Sequence, residues 1–160
     1  MIDATVERLG TYGIRLGEDT READRESQRV WDANDAQRGL SEALTVACAA
    51  GRSYGRVWGN PDDESTPLVT FEHPEFCAIT YDPDTRQDTA SAKAWLDDET
   101  GFLTLYTADE LWKWQWAVPP DNDPRRPIKW EPRQGSQDDT WPLANPMGVQ
   151  PMVEFRNTAL

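Results

Sequence analysis

Apolar residues follow two different periods along this chain, and the change falls just after residue 50. Before it, Ala23, Ser27, Val30 and Trp31 recur at three- and four-residue steps, which predicts a helix over about 21–34. Thr20 stands where a cap is wanted, with Glu22 and Asp24 in the favoured acidic first turn. Leu40, Ala43, Leu44, Ala47 and Ala50 then share one stripe, predicting a second helix over about 36–50. Asn34-Asp35 ends the first helix and is placed to cap the second, while Gly51 suits the left-handed position that closes it. Upstream, Val6, Arg8, Tyr12, Ile14 and Leu16 alternate about Gly10, predicting two short extended segments within 4–16.

After the change the period is two. Strands are predicted at 54–58, 68–71 and 77–81, and a hairpin joins 90–96 to 102–106 around Asp97-Asp98-Glu99-Thr100-Gly101. Thr107 and Glu110 have capping-box spacing, but Trp112, Trp114 and Trp116 alternate strictly with Lys113 and Gln115, so a strand is expected there. A short strand at Ile128–Trp130, an irregular loop over 131–147 and a last strand at 149–155 complete the pattern. The reading is α+β: an N-terminal extended hairpin, two helices, then a mainly antiparallel β-sheet, in a single domain over 1–160.

Composition narrows the function. A formal net charge of −13 argues against a surface built to grip phosphates or anionic lipid, both of which need clustered cations. Only Lys93, Lys113 and Lys129 are lysines; the remaining cations are arginines, which suit bidentate contacts at interfaces but also follow from genomic composition bias. Cys48 and Cys77 lie among small or apolar neighbours without motif spacing, so they read as buried hydrophobes in a reducing compartment. No apolar run is long enough to cross a membrane, and no secretory signal opens the sequence.

Of the eight tryptophans, six fall from Trp95 onward. Trp112, Trp114 and Trp116 on one strand face would leave an apolar patch of roughly 450–750 Å² if nothing covered them. Three readings stay open: core, subunit interface, or a stacking platform for a sugar or aromatic ligand. The carboxylate runs Asp62-Asp63-Glu64, Asp97-Asp98-Glu99 and Asp138-Asp139 all sit in expected turns, where solvation explains them without a glycosidase pair. Asp82, Asp84 and Asp88 resemble half a calcium loop but lack its glycine and its closing glutamate. His73 is the sole histidine, flanked by Glu72 and Pro74 at a strand end, so it is read as structural. Gly51-Arg52-Ser53-Tyr54-Gly55 runs from helix into strand, the reverse of a phosphate-binding loop. No catalytic residue, cofactor or metal is expected.

The passage Ala47 to Trp58, Ala-Cys-Ala-Ala-Gly-Arg-Ser-Tyr-Gly-Arg-Val-Trp, resembles the portal proteins of tailed bacteriophages of the siphophage type. There a small-residue helix ends in Gly, followed by Ser or Ala, an aromatic residue and a strand. Val6-Glu7-Arg8-Leu9 and Tyr12-Gly13-Ile14-Arg15 resemble that family's paired extended segments, and Trp31 with Asn34 its Trp-x-x-Asn element. Leu68 to Phe71, Pro74, Tyr81-Asp82, Leu105-Tyr106-Thr107 and Trp112 follow in the same order. Asn145 to Asn157 is similar to its Asn-x-x-Gly-x-x-Pro-Val-Val-x-Phe-x-Asn signature, with Met152 in the first Val place.

The resemblance implies the wing at the outside of the portal ring, without stem, clip or crown, as in a fragment or a truncated prophage gene product. It implies a structural subunit of the head-tail connector at a capsid vertex, usually twelve to a ring. Double-stranded DNA is packaged and ejected through that ring without sequence-specific binding. The implied partners are further copies of the chain and, through the full-length protein, capsid and terminase proteins. No membrane is involved, and the implied location is the virion, or the bacterial host cytoplasm during assembly. By itself the chain is expected to be mostly monomeric. The candidate subunit interface is Trp112, Trp114, Trp116, Ile128 and Trp130. The alternative is a carbohydrate- or aromatic-ligand-binding module on the Trp112/Trp114/Trp116 face; an acidic hydrolase ranks last because no carboxylate spacing supports it.

Overall fold

A computed structural model of the chain describes Val6, Leu9 and residues 21–118, 129–133 and 141–157. The expected segments over 4–16 therefore lie outside the described residues, apart from Val6 and Leu9. At Val6 the backbone is helical instead of extended, and Leu9 N–H donates to its carbonyl at 2.8 Å.

Among the described residues from Arg21 on, two helices, α1 (Arg21–Ala33) and α2 (Ala36–Ala50), precede nine strands. These are β1 (Arg52–Trp58), β2 (Leu68–Glu72), β3 (Cys77–Tyr81), β4 (Asp88–Asp97), β5 (Thr100–Tyr106), β6 (Glu110–Ala117), β7 (Glu131–Pro132), β8 (Leu143–Ala144) and β9 (Met152–Arg156). The architecture is α+β, with all strand pairs antiparallel. The strands form two sheets: β2-β1-β9, and the meander β3-β4-β5-β6-β7 with β8 also on β6. The chain divides into two compact units, one of residues 1–74 and 152–160, the other of residues 75–151.

In the first unit α2 lies against the β2-β1-β9 sheet. Its buried residues are Ala36, Ala43 and Ala47; of the expected stripe Ala43 and Ala47 are thus buried, Leu40 and Leu44 half-buried and Ala50 exposed. The reason is closeness of approach. A Cβ built on Gly39 would stand 2.4 Å from the Phe71 ring, and Ser53 Oγ donates to the Ala43 carbonyl at 2.7 Å. Small residues bring the helix near enough for a strand side chain to bond its backbone. Gly51 closes the helix at φ 85°, its N–H donating to Ala47 O at 2.9 Å. Asp35 takes the N-cap position of α2 without a side-chain cap bond: it is left-handed at φ 47°, and its carboxylate pairs with Arg38 instead.

Asn34 holds the helix junction to the sheet. Its Nδ2 donates to Val30 O at 2.8 Å and Pro67 O at 2.9 Å, and its Oδ1 accepts from Val69 N–H at 2.9 Å. One amide thus satisfies the carbonyl of Pro67, just before β2, and the N–H of Val69 within it, as a neighbouring strand would. On the opposite sheet face Tyr54 and Met152 are buried, 2% and 1% exposed, beside the ion pairs Arg56–Glu72 and Arg52–Glu154.

In the second unit Asp97 pairs with Thr100 across a two-residue loop whose Asp98 has φ 49°, so the hairpin turn is tighter than the five residues expected. Asp82 closes the β3–β4 turn, its Oδ1 accepting from the N–H of Asp84 and Thr85 at 2.9 and 2.7 Å. Two expectations fail here. Lys129 and Trp130 are not in a strand, because the pairing with β6 starts at Glu131, opposite Gln115. The expected loop over 131–147 contains both β7 and β8, each too short to show a period. Asn145 pins the loop that follows: its Nδ2 donates to Thr107 O and Val149 O at 2.6 and 2.8 Å, and its Oδ1 accepts from Met147 N–H at 3.0 Å.

Candidate functional site

Strand register places the tryptophan ladder on a wholly apolar face. Ala92 of β4 opposes Leu105 of β5, which opposes Trp112 of β6. The next rows are Ala94–Leu103–Trp114 and Leu96–Gly101–Trp116. Three side chains per strand, two residues apart, must share a face, so the sequence period alone dictated that Trp112, Trp114 and Trp116 point one way.

The three rings are half-buried, and the chain's own aromatics account for much of that. Trp112 and Trp114 lie side by side, centroids 6.0 Å apart and 19° from parallel. Trp141 meets both edge-on, at 4.8 and 5.7 Å, a geometry that suits the ring quadrupole. Trp116 lies over Gly101, where an added Cβ would be 1.8 Å from the indole, and Trp130 touches its ring at 4.5 Å. The glycine expected in the hairpin turn is instead the floor on which Trp116 rests.

Four of the five candidate residues therefore gather on this face. Trp112, Trp114 and Trp116 come from β6, and Trp130 reaches Trp116 from outside any strand while staying 44% exposed. Ile128 lies outside the described residues. Leu96, at the corner of the face, is 63% exposed and joins the patch. Trp141 was missed by sequence reasoning because it sits in an aperiodic loop; only its residue type marked it.

The reverse face carries a second aromatic group. Trp95 stacks on Phe102 at 5.2 Å, and the Arg133 guanidinium covers both rings at 5.3 and 4.9 Å. Arg133 arrives there because its N–H donates to Lys113 O at 2.8 Å, continuing the β6–β7 pairing.

The other sequence candidates do not converge. Asp62, Asp63 and Glu64 are exposed in the β1–β2 loop, and Asp97, Asp98 and Glu99 surround the hairpin tip. Asp138 and Asp139 lie outside the described residues. Hydrogen bonds from Ser65 and Thr66 hold the Asp63 carboxyl below the ordinary range, and the N–H groups of Thr85 and Asp84 do the same for Asp82. Both shifts come from turn bonding, not from a reactive cleft. His73 is exposed at the end of β2. Among the described residues no group of three or more His, Cys, Asp or Glu could hold a metal, and no helix is long and apolar enough to cross a membrane. Cys48 is half-buried and Cys77 buried, both free thiols.

The positions that carried the resemblance have structural duties. Asn34 and Asn145 bond backbone in place of strands, Gly148 is left-handed at φ 65°, and Asn157 N–H donates to Gly51 O at 3.0 Å. Met152, in the first Val place, is 1% exposed, whereas Val153 is 60% exposed. A family model described as phage portal protein, SPP1 Gp6-like, matches residues 1–157. No curated protein matches the chain.

Proposed function

The chain belongs to the phage portal protein family, SPP1 Gp6-like, a structural and non-enzymatic family of virion components, and from that premise we propose that it forms the wing of a head-tail connector ring. The family match over residues 1–157 carries this reading. The ring, usually of twelve subunits, stands at a capsid vertex and conducts double-stranded DNA during packaging and ejection. An acidic balance of −13 suits a protein that lies near DNA without gripping it. Capsid and terminase proteins are the partners of the full-length protein.

The apolar face of β4-β5-β6 is the proposed contact with a neighbouring subunit, with Trp116, Trp130 and Leu96 at its accessible corner. Trp, rich at interface centres, gives such a contact most of its binding free energy. Trp141 edge-on to Trp112 and Trp114 favours this reading over the sugar platform, because a ligand would have to displace the chain's own ring.

Ring assembly tests the proposal. The portal polypeptide that carries this sequence is expected to form closed rings by mass photometry and negative-stain microscopy, and Leu96→Glu is expected to shift it towards open assemblies and monomers. Failure of the unsubstituted protein to form any ring would refute the portal function. Unchanged rings with Leu96→Glu would refute the interface alone. Intrinsic fluorescence titrated with a glycan panel should not move at millimolar sugar; a saturable shift would favour the ligand-binding alternative.

A further inference from the structure

The first unit carries a second apolar concavity that the ring contact does not use. Ser27, Val30 and Trp31 share one face of α1, and Val57 and Val69 are directly paired partners on β1 and β2. Together they line a groove of about 360 Å³, with Glu26 at its rim. Val57 is 40% exposed there. Ser27 is what leaves the space: a small polar residue occupies a helix position whose neighbours at i+3 and i+4 are Val30 and Trp31.

The surroundings are acidic and held in place. Arg29 donates to Ser65 O and Thr66 Oγ1, both at 2.7 Å, which ties the β1–β2 loop to α1. That loop brings Asp62, Asp63 and Glu64, all exposed. From Asp24 onward, α1 and this loop hold six carboxylates (Asp24, Glu26, Asp32, Asp62, Asp63, Glu64) against Arg25 and Arg29, so 2 − 6 = −4. Of the two cations Arg29 is already paired with Glu26. Asp63 stays ionised well into mild acid because Ser65 and Thr66 bond its carboxylate.

We propose that this groove docks a cationic amphipathic segment of a different protein, with an apolar side chain seated on Val30, Trp31, Val57 and Val69 and flanking Lys or Arg facing the Asp62-Asp63-Glu64 loop. Charge decides the occupant. A second copy of a chain with net charge −13 would bring like charge to an acidic rim, whereas a basic partner gains from it. Helix-in-groove and extended-peptide recognition both use this combination of an apolar anchor and a charged rim.

The test is fluorescence anisotropy of three labelled peptides against the intact protein: paired leucines flanked by lysines, the same with glutamates for lysines, and the same with alanines for leucines. The lysine–leucine peptide should bind, and either replacement should weaken it by roughly tenfold or more. Ser27→Leu fills the groove from within and should weaken it by a similar factor, with an unchanged circular dichroism spectrum. Val57→Lys, on an exposed strand position, is the second variant should the first unfold, with the same loss expected. Binding that ignores both substitutions, binding shared equally by the glutamate peptide, or no binding at all would overturn the proposal. So would self-association of the protein that Ser27→Leu abolishes, since the occupant would then be a second copy.

Discussion

Replacing Asn34 isolates one side chain that stands in for a strand. Its amide makes three hydrogen bonds, to Val30 O, Pro67 O and Val69 N–H, all partly buried. At a net 0.5–1.5 kcal/mol each, Asn34→Ala should cost about 2–3 kcal/mol, because Pro67 O and the edge N–H of Val69 lose their partner. Asn34→Asp is nearly isosteric and keeps the acceptor for Val69 N–H, yet it sets an oxygen against two carbonyl oxygens. It should cost about 1 kcal/mol more than the alanine variant at neutral pH. The pH dependence has a definite sign. The introduced carboxyl is favoured in its protonated, donating form, so its folded pKa rises above the unfolded value of about 3.9, and the folded chain binds more protons. The penalty should therefore shrink as pH falls through the raised folded value, and acid should narrow the gap to the parent. Urea denaturation followed by circular dichroism at the helix band reads the first unit, where both helices lie. Hydrogen exchange reads the Val69 amide itself, which should lose protection in Asn34→Ala ahead of the amides of β1. An aspartate variant as stable as the parent at neutral pH, with Val69 equally protected, would refute the bonding scheme.

Gly101→Ala puts a Cβ 1.8 Å from the Trp116 indole, so the ring must move; about 1–3 kcal/mol of destabilisation and an altered near-ultraviolet dichroism are expected. Gly59→Ala, where a Cβ meets nothing within 4 Å, is the matched control and should be close to neutral. Trp141→Ala uncovers Trp112 and Trp114 and should cost about 3 kcal/mol while raising binding of a hydrophobic dye. Asp63 and Asp82 have folded pKa values depressed by turn hydrogen bonds. Their contribution is fully present above about 3.9, the unfolded value, and disappears as pH falls through the folded values. The Asp63→Asn, Asp82→Asn double variant should thus lose less stability than the parent on acidification in an acid titration followed by dichroism.

Much of the local structure is legible in the residue pattern. The helical stripes and Gly51 mark both helices, and alternation marks β1 to β6, including the shared face of Trp112, Trp114 and Trp116. The reason is that backbone geometry repeats every 3.6 or 2 residues, so a buried face writes its period into the chain. Short pieces leave no such trace. β7 and β8 have two residues each, too few for a period, and of the strand expected at Ile128–Trp130 the described residues Lys129 and Trp130 lie just before β7. Asn34 was visible as a helix end and as part of a Trp-x-x-Asn element; nothing local showed that its partners are Pro67 and Val69, more than thirty positions away.

By itself the sequence determined the element types, the single-faced tryptophan ladder, the acidic net charge and, through its ordered motifs, the family. Tertiary structure alone decided that the strands divide into two sheets, that Gly101 lies beneath Trp116, and that Trp141 and Arg133 cap opposite faces of the meander. It also opened the groove beside Ser27. Each of these depends on which distant residues meet, and pairing over long separations is set by the packing of whole faces, which no local period encodes.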